Sequence, residues 1–237
     1  EDEWLMDEAI SQQINQFLIK PVSPTQVFIA CKQILEKIRI IEDKTSSEYL
    51  KDFQKINEEI NYITSLDEWW HLYLRVVRWQ IKFEEHTDSA LQNILLDQIQ
   101  ACNKQFSEYI ENNYELLLKN ENKTIFSPGV FKNHVQPSII MQNKVCLIVI
   151  DCMRCDQLLS IYSYLESLFE VELSYHLSLL PSATSFSRNA IFSGLFPNEM
   201  VNKYPKQKEL FLHNVDSLNK YEKDFLNDQL NRLGIKD

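Results

Sequence analysis

Glycine is scarce, at three in 237 residues. Long helices use few glycines, so the shortage predicts a helix-rich chain. No apolar run approaches the length that crosses a bilayer, and no charged-then-apolar leader opens the chain. A soluble, cytoplasmic protein without membrane insertion is therefore expected. Basic charge is short as well: 24 Lys and Arg face 34 Asp and Glu, a formal net charge of −10. That balance argues against broad, non-specific nucleic-acid binding, which runs on phosphate neutralisation, but it leaves room for a small phosphate-bearing substrate in one basic pocket. Five cysteines, an odd number scattered along the chain, suggest a reducing compartment without a disulfide framework. The chain begins at Glu1 without methionine and ends on GIKD in mid-pattern, which reads as a piece of a longer protein.

Residues 1–43 read as helix, strand, helix. Trp4, Leu5, Ala9 and Ile10 form a rough helical stripe, and NQFLIKPV is a short strand ending in Lys20-Pro21. A Ser/Pro/Thr start signal then precedes apolar residues at helical spacing: Val27, Ile34, Leu35, Ile38 and Ile41. Residues 44–120 repeat apolar residues at three- and four-residue steps and read as a three-helix bundle, a spacer that is also the place to look for dimerisation. Ser65 with Glu68 predicts a capping box. Trp69, Leu72, Val76, Trp79 and Phe83 form one aromatic-rich stripe, the mark of a bundle core more than of a ligand platform. His71 and His86 lack a partner at metal-ligand spacing and read as structural or surface residues. The acidic stretches KINEEI, FEEH and EYIENNYE rule against a DNA-binding domain here. Residues 121–143, with Pro128-Gly129 and Pro137, read as an ordered linker, and a new domain begins near Lys144 and runs to 237.

That last part opens on VCLIVIDCMRCDQ. Val145 to Ile150 is an unbroken apolar run, the pattern of a strand buried on both faces in a parallel sheet. Asp151 comes at the carboxyl end, where open α/β sheets bind ligands. A helix (DQLLSIYSYLESL) and a second strand (EVELSYHLSLL) come next, then PSATSFSRNAIFSGLFP. Pro181 ends the strand, and Ser182 or Thr184 is a candidate cap of the next helix. Thr184 is thus expected at a helix N-terminus, where backbone N–H groups and the helix dipole favour phosphate. A hydroxyl there can attack phosphorus if a divalent metal held by Asp151 lowers its pKa. The same two residues are equally accounted for by a helix cap and a turn aspartate, with no catalysis at all. Cys152 and Cys155 form a C-x-x-C; without a second pair for structural zinc, they read as small residues in buried positions.

Two resemblances sharpen this reading. FLIKPVSPTQ, residues 17–26, resembles the end of a response-regulator receiver domain, a flavodoxin-like α/β fold. The likeness implies that Lys20 and Pro21 belong to the phosphoryl switch, with Mg²⁺ at the receiver site and a histidine kinase or other phosphodonor as partner. Downstream, D-x-x-R-x-D (Asp151, Arg154, Asp156), P-x-x-T (Pro181, Thr184) and G-L-x-P (Gly194, Leu195, Pro197) resemble the alkaline-phosphatase superfamily, in spacing closest to its nucleotide pyrophosphatase/phosphodiesterase branch. The resemblance implies an α/β/α fold and a two-zinc site, with Asp151 a metal ligand and Thr184 both ligand and nucleophile. The branch's phosphoryl-holding asparagine, three residues after the threonine, is Ser187 here, which turns attention to Arg188 and Asn189 as substitutes for the oxyanion contact. His213 and Asp216 fall in a loop-like polar stretch and are weak candidates for further ligands.

Receiver end, helical bundle and phosphatase-like opening together resemble the PglZ-domain response regulators, across essentially the whole chain. The resemblance implies a homodimeric two-component regulator with a zinc-dependent phosphodiesterase output acting on oligonucleotide-like phosphodiesters, linked to type IX secretion control. This chain would carry only part of the zinc site. The alternative is a catalytically silent, phosphorylation-switched interaction module.

Overall fold

Ser23 starts the first helix by exchanging hydrogen bonds with Gln26: the Gln26 N–H donates to Ser23 Oγ at 3.2 Å, and the Ser23 N–H donates to Gln26 Oε1 at 2.8 Å. In the computed structural model, which describes residues 18, 20–84, 89–119, 124–205 and 220–235, helix α1 then runs unbroken from Pro24 to Glu59. The boundary expected at 43/44 therefore lies inside one helix; no glycine or proline occurs after Pro24 to interrupt it. Helix α2 spans Leu66–Glu84 and α3 spans Ser89–Lys119. The Ser65–Glu68 box forms as the spacing predicts, with Ser65 N–H on Glu68 Oε2 at 2.9 Å and Glu68 N–H on Ser65 Oγ at 3.3 Å.

The chain divides into two compact units, Glu1–Gln105 and Phe106–Asp237. In the first, Trp69, Leu72, Val76, Trp79 and Phe83 are all buried, so the aromatic stripe of α2 is the bundle core. Tyr49 of α1 is fully buried at its centre, edge-on to Phe83 at 4.9 Å and Trp79 at 5.3 Å between ring centroids. Its hydroxyl donates to Gln98 Oε1 at 3.3 Å, and the Gln98 amide donates in turn to the Phe53 carbonyl at 3.1 Å. Trp79 Nε1 donates to Asp52 Oδ2 at 2.6 Å. The Tyr49 hydroxyl and the Trp79 indole N–H are thus each supplied with a partner from another helix. Exposed His71 agrees with a surface role, and His86 lies outside the described residues.

In the second unit, the segment expected to be a linker is core. Phe126 is 3% exposed and packs with Leu179 and Ala190. A 3₁₀ turn, Ser127–Gly129, and a π-helical turn, Phe131–Val135, come next, then α4, Gln136–Ile140. Beyond residue 150 come α5 (Cys155–Ser160), α6 (Tyr162–Leu168), α7 (Ser187–Ser193), α8 (Pro197–Lys203) and α9 (Glu222–Arg232). Helix α7 packs against both the 3₁₀ turn and α9. Gly194 closes α7 with a left-handed φ of +61°, and a Cβ there would lie 2.5 Å from the buried Gln229 amide of α9, so glycine is needed twice over.

The expected strands are corrected. Among the described residues there is no strand, only one isolated parallel bridge between Phe126 and Leu177. Residues 143–150 lack regular structure, and Ile148 is 75% exposed. A strand is held by hydrogen bonds to its neighbours, and no described segment runs beside 145–150 to supply them. Neither the α/β receiver end nor the α/β/α sandwich is visible; most of the NQFLIKPV stretch lies outside the described residues, as do Trp4, Leu5, Ala9 and Ile10. Lys20 and Pro21 are exposed ahead of α1, joined by a cis peptide bond.

Asp228 of α9 ties α8 to it, accepting hydrogen bonds from Tyr204 Oη at 2.7 Å and Arg232 Nε at 3.0 Å, with Lys203 Nζ at 2.8 Å. Partial burial pushes this carboxyl up, but hydrogen bonds from Lys203, Tyr204 and Arg232 outweigh it and hold it below its ordinary value. A depressed folded-state pKa adds stability that is fully present above the unfolded value of 3.8 and disappears as pH falls through the folded value. Asp228→Asn is expected to lower stability by about 1 kcal/mol at neutral pH. In thermal melts across pH, the gap to wild type should close in acid, below the unfolded value.

Candidate functional site

Asp151 lies in a turn with Cys152, whose φ is +61°. The turn is closed by the Cys152 N–H donating to Asp151 Oδ1 at 3.0 Å, the local bond to which short aspartate side chains are suited. This leaves Oδ2 for more distant partners, and two arrive. Thr184 Oγ1 donates to it at 3.2 Å, and Arg188 Nη1 donates to it at 3.2 Å. Both donors come from the segment around the start of α7, Thr184 in the turn before it and Arg188 in its first turn.

Partial burial pushes the Asp151 carboxyl up. Hydrogen bonds from Arg188, Thr184 and the Cys152 N–H, with the guanidinium's charge, more than reverse that and hold it below the usual carboxylate range. Arg188 is anchored from its other side: Nε lies 2.6 Å from Glu222 Oε1, and Nη2 donates to Glu222 Oε2 at 3.2 Å. Its pKa is raised, first by the hydrogen bond to Glu222 and then by Asp151, against the opposing effect of burial. The guanidinium carbon lies 5.9 Å from the centre of the Phe192 ring.

The structure separates the two accounts of Thr184. Helix α7 opens at Ser187 after Phe186, with no side-chain cap, so neither Ser182 nor Thr184 caps it. The Thr184 hydroxyl points instead to a carboxylate 33 residues earlier in the chain. The position where the phosphodiesterase branch carries asparagine behaves differently: Ser187 is buried, bonded through Oγ to Ser127 Oγ at 2.7 Å and Ser178 Oγ at 2.6 Å. It belongs to a trio of linked serine hydroxyls, away from Asp151's partners. Asn189 is also buried, 1% exposed, and donates to the Ser185 carbonyl at 3.1 Å. Of the two candidate oxyanion contacts, Arg188 joins the Asp151–Thr184 pair, while Asn189 is enclosed. Arg154 and Asp156 bond to one another at 2.9 Å (Nε to Oδ1) and form a separate pair at the start of α5. Cys152 is exposed, which corrects its reading as a buried filler, and no disulfide joins the described cysteines. His213 and Asp216 lie outside the described residues.

Asp151 and Thr184 are hard oxygen donors, suited to one side of a divalent metal's shell. Among the described residues, no group of three or more His, Cys, Asp or Glu stands close enough together to hold a metal ion. Glu222 escaped sequence reading: it lies 34 residues beyond Arg188, in a stretch with no motif, and only the packing of α9 on α7 brings it in.

Comparison with protein families places these parts. Residues 130–230 match the BREX system PglZ alkaline phosphatase-like domain, which covers Asp151, Thr184, Arg188 and Glu222. Residues 39–118, most of the helical bundle, match the PorX response regulator linker domain. The chain thus joins a region similar to that linker to a region similar to a PglZ domain, as the resemblance to PglZ-domain response regulators implied. Among curated proteins no match is found. No helix among the described residues is long and apolar enough to cross a membrane.

Placing the branch's asparagine at position 187 is expected to harm the protein, because the larger amide has no room among the linked serines. Ser187→Asn should destabilise by about 1–3 kcal/mol in denaturant titrations. It should bring no gain in phosphate affinity; a gain would show that position 187 faces the site.

Proposed function

We propose that this chain is part of a two-component response regulator whose PglZ output domain is a zinc-dependent phosphodiesterase. The observation that carries the reading is the Thr184 hydroxyl, directed to Asp151 Oδ2 and not to the helix it precedes. The hydrogen bond to an acceptor-only carboxylate aligns the hydroxyl, with its hydrogen toward Asp151 and its lone pairs free to face phosphorus. Thr184 Oγ1 is the nucleophile: it sheds its proton and forms a bond to phosphorus as the bond from phosphorus to the ester oxygen breaks. That oxygen leaves as the alcohol, and water then cleaves the Oγ1–phosphorus bond and restores the hydroxyl. Arg188, its charge fixed by two carboxylates, is the cation set to meet negative charge on the transferring group. Asp151 and Thr184 would hold zinc, which supplies Lewis-acid activation of the hydroxyl and the phosphoryl oxygens.

An oligonucleotide-like phosphodiester is the substrate class that the family likeness supports; with a net charge of −10, it would be engaged locally at the site and not by a broad basic surface. A receiver upstream, with Lys20 and Pro21 at its end and its own Mg²⁺, would take a phosphoryl group from a histidine kinase or another phosphodonor. Homodimerisation and a place in type IX secretion control complete the proposal; they rest on the likeness to PorX-type regulators.

In the full-length, zinc-loaded protein, hydrolysis of bis(p-nitrophenyl) phosphate is expected, with Thr184→Ala reducing turnover by at least about a hundredfold. Undiminished turnover in that variant would remove Thr184 as nucleophile. No turnover by the zinc-loaded wild type would favour a phosphorylation-switched interaction module.

A further inference from the structure

Arg188 has more holding it than charge balance requires. A guanidinium offers five N–H donors in a rigid plane. Glu222 Oε2 accepts a hydrogen bond from Nη2 at 3.2 Å, and its Oε1 lies 2.6 Å from Nε as a close ion pair. Asp151 takes one hydrogen of Nη1 at 3.2 Å. One hydrogen on each terminal nitrogen is left. The hydrogen bond and close ion pair to Glu222 on one side and the hydrogen bond to Asp151 on the other hold the guanidinium between two carboxylates. Both side chains of the pair are largely shielded, Arg188 at 20% and Glu222 at 17% exposed, so the contact is not a screened surface ion pair.

Glu222 is itself well seated. It is the first residue of α9, where the helix end favours a carboxylate, and α9 is pinned against α7 through Gln229 beside Gly194. The Phe225 side chain, one turn on, is 1% exposed in the cluster with Met200. The carboxylate therefore stands on a rigid element.

From this geometry we infer that Glu222 is a positioning residue: it holds Arg188 so that the remaining Nη1 and Nη2 hydrogens meet the phosphoryl group at Thr184. The inference rests on the reading of Thr184 and Arg188 proposed above. Glu222 touches no substrate and acts only through Arg188. Without it, the guanidinium keeps its charge but loses its orientation, and Asp151 becomes its sole carboxylate partner.

The test is binding of inorganic phosphate, the product-like anion, to the full-length zinc-loaded protein by calorimetry, with thermal melts alongside. Glu222→Gln, which keeps the side chain's size, is expected to weaken phosphate binding about tenfold, the value of one charge-assisted hydrogen bond. In an Arg188→Gln background the same change should have no further effect, the signature of a residue acting through another. Melting temperature tracks any purely structural loss, and Glu222→Ala gives a second variant should Glu222→Gln fold poorly. Equal weakening with and without Arg188 would overturn the inference, as would phosphate binding that needs Arg188 but ignores Glu222; in both cases the reading of Thr184 and Arg188 stands. Failure of zinc-loaded wild type to bind phosphate would instead strike the underlying reading, and the role of Glu222 would fall with it.

Discussion

One carboxylate oxygen organises the site. Asp151 Oδ2 receives Thr184 from the turn before α7 and Arg188 from within it, while Oδ1 closes its own turn through the Cys152 N–H. Two segments separated by more than thirty residues meet there, and a third is drawn in because Arg188 also binds Glu222 at the start of α9. These three donors hold the Asp151 carboxyl below its ordinary value, against the opposing effect of desolvation. Remove the carboxylate and the hydroxyl and guanidinium have no common point.

The scaffold beneath is built so that α7 cannot drift. Its N-terminal end is tied by Ser187 to Ser127 and Ser178, and its C-terminal end passes against α9 through Gly194, whose left-handed backbone favours glycine and whose missing side chain leaves room for Gln229. Between these ends, Ala190 is completely buried against Phe126 and Leu179. The residues that seat α7 are Ser187 and Ala190 within it and Gly194 at its end. Arg188 projects from the same helix toward Asp151, so packing on one face sets geometry on the other.

Legibility in the sequence tracked the physics of each part. The bundle was readable, because helical periodicity and caps are local: Ser23 with Gln26, Ser65 with Glu68, and the Trp69-to-Phe83 stripe all stand as their spacing predicts. Asp151 and Thr184 were picked out by type and position, and the structure brings them together. The buried strand at 145–150 is not found, since apolarity signals burial but cannot supply the neighbouring strand that burial requires. Asn189 and Arg188 stand in different surroundings because adjacent helical residues face different ways. Glu222 was invisible, since a glutamate among other charged residues gains meaning only from what packs beside it.

The most direct test of the central claim, that Asp151 and Thr184 form a metal-and-nucleophile pair, is anomalous diffraction at the zinc edge from crystals of the full-length protein grown with zinc. The expected result is a peak about 2.0–2.2 Å from an Asp151 carboxylate oxygen, next to Thr184 Oγ1, with Arg188 still held by Glu222. A peak elsewhere, at Cys152 and Cys155 for example, or none at Asp151 in zinc-saturated crystals, would contradict it.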